Sequence, residues 1–354
     1  MTDRRRFLGT LLAASAMPRL SWADAGSPAF LAAARERNGA YALFGLTARG
    51  EDLFRVPLPG RGHAGAAHPE RPEAVVFARR PGTYALVLSC VGGHVRHRLA
   101  APEGRAFNGH GAFSLGGDRL YTSEVIAETG EGRIGLWDRN AGYRRVGDIP
   151  SHGIGPHEIR RMPGSELLVV ANGGIHTQPG GREKLNIPTM APNLSYVAPD
   201  GTLRQQIAPA HHMQSIRHVS ISATGLVAFA MQWQGDLLET PPLLGLHRLG
   251  DAAPVWAQAG ERHFAMKGYV GSVSFFARDS RVAISSPWGG RVQIFDAKGR
   301  YLEELRRTDV CGLAAEGRAL VVTDGLGTFA TVEHGRFTGH TKAPRSWDHH
   351  IVPL

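Results

Sequence analysis

Cysteine is scarce in this chain: two in 354 residues, Cys90 and Cys311, separated by 221 positions. A disulfide framework is therefore excluded, and the apolar flanks LVLSC-VGG and TDVC-GLAA predict two buried free thiols. Charge is also modest, with 20% of residues charged against 42% hydrophobic, which excludes a disordered chain. After the first 23 residues no run has the length and purity of a membrane span, so no stable membrane insertion is expected. Helical periodicity is nearly absent.

The known catalytic and cofactor signatures are missing too. The sequence has no Gly-x-Ser-x-Gly elbow, no phosphate-binding Walker loop, no His-Glu-x-x-His helix and no Cys-x-x-Cys-His haem site. The Gly-Gly pairs at 92–93, 116–117, 173–174, 180–181 and 289–290 precede no helix and read as turns. Nucleic acid is a poor partner despite a formal net charge of +9. Residues 1–23 carry four arginines against one aspartate, so their removal lowers the charge to +6, and the remaining basic residues form no stripe with aromatics.

What is present begins with an address. Arg4-Arg5-Arg6-Phe7-Leu8 followed by a short apolar stretch fits a twin-arginine signal peptide over residues 1–23. Small residues at Ser21-Trp22-Ala23 and Ala23-Asp24-Ala25 suit cleavage. The pattern predicts a folded chain exported to the periplasm. Residues 24–354 then form one domain, with an irregular insertion at 173–193.

With 45 glycines and 22 prolines the domain reads as short strands between turns. Segment 27–37 is the one stretch that reads as a helix. From Gly109 to Pro150 four strands follow one another: GHGAFSL, DRLYTSE, RIGLWD and YRRVGDIP. Segments 73–89, 110–124, 157–172, 217–232, 272–286 and 310–324 align as six such units, and WDHHIVPL with residues 40–50 supplies a seventh. This predicts an all-β chain, a seven-bladed β-propeller of four-stranded antiparallel blades. Six or eight blades, or two β-sandwiches, are the competing arrangements.

In a propeller the first strand of each blade lines the central channel. His110, His157 and His218 start three consecutive first strands, and Ser272 and Cys311 follow in the next two. Three converging imidazoles can bind one transition metal, with iron, copper and zinc all suited to them. The competing reading treats them as structural hydrogen-bond partners, because Gly109-His110 followed by Trp137-Asp138 resembles the pairing of WD repeats. His63, His68, His211-His212 and His349-His350 read as loop or terminal and mostly solvated, although the last pair sits where the ring closes. Strand alternation turns Glu158 away from the His157 side and leaves Arg160 to pair with a carboxylate between blades. Asn172, Gln232 and Gln234 end second strands, where they bind a ligand or cap a turn.

FNGHGAFS (107–114), GIGPHEI (153–159), the insertion with ANGGI (171–175), SIRH (215–218), QWQG (232–235), SSPWGG (285–290) and DVCGLA (309–314) together carry a resemblance. So does HPERPEAVVFARRPG (68–82). The chain resembles the bacterial family called domain of unknown function 1513 over nearly all of its mature length. The resemblance implies an exported propeller without established catalytic activity, encoded near imelysin-like and di-haem-type proteins in iron-associated clusters. It implies iron-acquisition or redox partners in the periplasm; the protein itself is expected to be a monomer. It points to His110, His157, Asn172, Lys184, Asn186, Met190, Arg217, His218 and Gln232. The expectation is a metal-binding accessory protein with ligands His110, His157 and His218. Asn172, Lys184, Asn186, Met190, Arg217 and Gln232 are its further ligand-binding residues. A metal-dependent enzyme of lactonase or redox type and a pure interaction scaffold are the alternatives.

Overall fold

The computed structural model describes residues 20–79, 83–178 and 181–354. The arginine-rich start that reads as a signal lies outside the described residues. Its proposed cleavage region is within them: Trp22–Ala25 forms a 3-10 turn, and the Trp22 indole donates to the carbonyl of His68 (2.9 Å).

Among the described residues twenty-eight strands form seven four-stranded antiparallel sheets, the seven blades of a β-propeller. The inner strands of blades 1 to 6 are Gly62–Ala67, Arg105–Phe113, Pro156–Arg161, Gln214–Ile221, Ser272–Phe276 and Val310–Glu316. The C-terminal strand Arg345–Pro353 is the inner strand of blade 7, and three N-terminal strands complete that blade. Phe30 pairs with Pro353 and Ala34 with Trp347, so the two chain ends fasten the ring.

Two local expectations are corrected. The stretch at 27–37 is not helical; Phe30–Glu36 is the strand beside the C-terminal one. Its alanines run continuously because both faces are covered, and burial on both faces overrides helix propensity. The segment 73–89 holds the second and third strands of blade 1 rather than its first two. The true inner strand, GHAGAA, is built of small residues that carry little hydrophobic pattern.

The core is not central but layered between blades. Seven apolar clusters fill the seven interfaces. One packs Val75, Phe77 and Val87 of blade 1 against Phe107, Leu120 and Trp137 of blade 2. The others repeat this at each interface around the ring. Middle strands such as Glu73–Ala78 and Ala85–Ser89 are buried throughout, whereas five of the six residues in the outer strand His94–Leu99 are exposed. Cys90 and Cys311 are buried and unpaired, as the sequence predicts.

Candidate metal centre and its cavity

The inner strands carry an irregularity wherever they carry a histidine. The register of blade 1 shifts between Gly62 and Gly65, that of blade 2 between Phe107 and Gly111, and that of blade 3 between Pro156 and Glu158. Blade 4 shifts between Ile216 and His218. In blade 7, Asp348, His349 and His350 stand opposite the single residue Ala33. A β-bulge adds residues to one strand and redirects its side chains. By contrast Ser272–Phe276, which has no histidine, pairs without a shift. The one bulged inner strand without a histidine is that of blade 6, where the buried Cys311 stands.

These bulges gather five imidazoles from five consecutive blades: His350, His63, His110, His157 and His218. Ring centroids of neighbours along this arc are 4.6, 5.0, 4.7 and 4.9 Å apart, and His218 lies 5.0 Å from His350. Two triads, His110-His157-His218 and His63-His110-His350, each place their ligand atoms within 4.8 Å of one another. A tetrahedral ion with bonds near ~2.1 Å wants nitrogens about 3.4 Å apart, so small side-chain rotations complete the fit. Gly109 permits the crowding: its φ is +96°, and a Cβ there would meet the His63 ring at 2.9 Å.

The surroundings orient the rings. His157 Nδ1 lies 3.1 Å from the carbonyl oxygen of Arg217, which sets Nδ1 as the protonated donor and leaves Nε2 as a lone pair. Glu158 lies 3.4 Å from His218 Nδ1, accepts from the Val219 amide (3.1 Å), and is held by the Arg160 guanidinium (2.7 Å). Glu158 thus stands behind the histidine cluster, and Arg160 pairs with a carboxylate of its own strand rather than with one between blades. On the opposite side Asp348 lies 3.3 Å from His63 Nδ1 and takes Arg61 and Arg79 at 2.5 and 3.1 Å. Carboxylates behind imidazoles are the usual outer shell of a metal site.

Burial holds His110, His157 and His350 far below the ordinary imidazole range, so all three are neutral at pH 7. It likewise lowers His63, against the pull of Asp348. Burial opposes ionisation of Glu158 and Asp348, but Arg160 and His218 outweigh it for the first, and His63 and Arg79 for the second. Both carboxyls titrate well below their usual range. Neutral imidazoles backed by ionised carboxylates are the donor state that a cation needs.

Three histidine nitrogens, His110 Nε2, His350 Nε2 and His218 Nδ1, are buried without a hydrogen-bond partner among the described residues, the last meeting Glu158 only as a 3.4 Å ion-pair contact. The WD-type pairing therefore does not account for His110; the Trp137 indole donates instead to Thr122 (2.9 Å). Sequence reasoning missed His63, which reads as a loop residue but lies on an inner strand, and left His350 open. His68 is also buried rather than solvated, whereas His211 and His212 are exposed and stack on each other.

A cavity of about 650 Å³ opens over this cluster. His63, His157, His218 and His349 reach its surface. The insertion walls one side with Ile175, Thr177, Arg182 and Lys184, so it lies over the face where the histidines converge. Arg217, Gln232 and Gln234 also line the cavity. Asn172, Asn186 and Met190, which the resemblance also singles out, are not among the residues that line the cavity. Asn172 is fully buried and bonded to Ser151 and Asn193. Asn186 ties the insertion to itself through the His176 amide and the Gly174 carbonyl, and Met190 is buried.

Comparison with known proteins agrees with the motifs. The sequence pattern of DUF1513, described as a protein of unknown function, matches residues 56–354. The chain belongs to the DUF1513 family. No curated protein matches it in sequence. Among solved structures, the hydrazine synthase of Kuenenia stuttgartiensis is similar, with a TM-score of 0.59 at 13% identity, covering 86% of this chain and 89% of that one. At that identity the likeness is one of fold. The DUF1513 match includes all five histidines and the insertion. No helix among the described residues is long and apolar enough to cross a membrane.

Proposed function

We propose that this DUF1513 protein is a periplasmic metal-binding accessory protein that holds one transition metal at the mouth of its propeller channel. His110, His157 and His218 are the ligands. The observation that carries this reading is the convergence of three imidazoles with ligand atoms within 4.8 Å of one another, His110 Nε2 lacking a hydrogen-bond partner among the described residues. A buried nitrogen without a partner costs free energy that coordination would recover. An all-imidazole donor set accepts iron, copper or zinc. Iron as the cargo, redox or iron-acquisition proteins as partners and twin-arginine export, drawn from the family resemblance and the N-terminal motif, complete the proposal together with a monomeric state.

The cavity also favours a second reading, a metal-dependent enzyme. A catalytic metal keeps one position open to substrate, and His157 and His218 reach the cavity.

Elemental analysis of protein exported by its native cell tests the first reading. About one equivalent of transition metal is expected, and it should be lost in His110→Ala and His157→Ala. Metal content unchanged in both variants, or absent from the native protein, overturns the site. Turnover of ester or redox substrates that disappears with the metal would favour the enzyme.

A further inference from the structure

The cavity above the histidines carries more positive charge than a cation site calls for. Five basic side chains line it: Arg61, Arg79, Arg182, Lys184 and Arg217. Asp309 is the one acidic residue among the described lining residues. Asp348 neutralises part of the charge from below through Arg61 and Arg79, yet Arg61 remains 45% exposed. Burial, and after it the nearby Arg217, lowers the affinity of Lys184 for its proton. Like charges brought together over a partly desolvated surface repel, and an anion between them relieves the repulsion.

The bases come from separate parts of the fold. Arg61 and Arg79 flank strands of blade 1, Arg217 sits on the bulge of blade 4, and Arg182 and Lys184 belong to the insertion. Their meeting is therefore a product of the ring and not a run of sequence. At the rim Trp288, 62% exposed, stacks on Tyr269 with ring centroids 4.2 Å apart. An aromatic pair with one exposed member beside guanidinium groups suits an organic skeleton as well as its charged ends.

We infer that this cavity binds a small multivalent oxyanion, its carboxylate or phosphate oxygens held by the basic wall and its body against Tyr269 and Trp288. A cavity of about 650 Å³ has room for such a molecule. The inference extends the metal-site reading, because an anion seated there also faces the metal ligands His157 and His218. It does not need the metal to bind.

Calorimetric titration of citrate and of pyrophosphate into chelator-treated protein at low ionic strength tests this. The two arms separate carboxylate from phosphate chemistry. Saturable binding of at least one anion is expected, weakened tenfold or more in the double variant R182Q/K184Q. Both residues lie on the insertion outside every blade strand, so the seven sheets do not depend on them. A second variant, Arg217→Gln, should weaken the same anion. His110→Ala should abolish metal uptake without altering anion affinity, which separates failure of the metal reading from failure of this one. No binding of either anion overturns the inference. So does equal binding by wild type and R182Q/K184Q, or binding that requires added metal and ignores both basic variants.

Discussion

Glu158 illustrates how one residue serves both fold and site. It is buried, its oxygens meet Arg160, the Val219 amide and the neighbourhood of His218, and no water-facing position is left for its charge. Glu158→Gln keeps an acceptor for Val219 but removes the charge that orients and polarises His218. Metal affinity should fall about 10- to 100-fold, as for other outer-shell changes. A competition titration against a chromophoric chelator reads this, with a thermal melt to confirm folding. Affinity equal to wild type in a folded variant would leave Glu158 a purely structural role. The residue scale is also where the sequence was least legible. His110, His157 and His218 share a position in aligned repeats, but His63 sits in GHAGAA, a segment without the hydrophobic run that marks a strand.

Between elements, the blades are joined by buried ion pairs as well as apolar layers. Glu73 on the second strand of blade 1 takes Arg139 of blade 2, the Tyr143 hydroxyl (2.8 Å) and Arg96 (3.3 Å). Burial raises the Glu73 pKa, but its partners prevail and the net shift is downward. Glu73→Ala leaves Arg139 without its counter-charge at a largely buried site. It should destabilise the protein by about 3–5 kcal/mol, measured by denaturant unfolding. The pH dependence follows from the sign of the shift. A carboxyl whose folded pKa lies below its unfolded value, ordinarily near 4.5, contributes stability above that value. That contribution is lost as pH falls through the folded pKa. Wild-type stability should therefore decline below about pH 4.5, with Asp348 and Glu158 adding to the slope. Glu73→Gln should flatten the decline, and an acid titration of the melting temperature that is identical in both proteins would contradict the assignment.

At the scale of the whole molecule, the ring depends on its last strand. Arg345–Pro353 brings Trp347 and Ile351 to the layer between blades 6 and 7, Asp348 to the arginines of blade 1, and His350 to the histidine cluster. Without it blade 7 lacks its inner strand and the channel lacks one wall. Deleting residues 345–354 should abolish the cooperative thermal transition followed by circular dichroism. A truncated chain that melts cooperatively within a few degrees of the intact one would show that closure is dispensable.

The sequence by itself determined the architecture. Short apolar strands at regular spacing can bury themselves only by stacking, and seven such units, counting one split between the chain ends, make a closed ring. It also singled out three of the five histidines, because repeats place equivalent residues at equivalent radii. The tertiary structure alone decided the rest. Bulges at His63, His110, His157, His218 and His350 break the two-residue alternation on which strand reasoning relies, and they turn the rings inward. The pairing of Asp348 with His63 and the gathering of five basic side chains join residues up to hundreds of positions apart. Such contacts arise from the closing of the ring and leave no periodic trace in the chain.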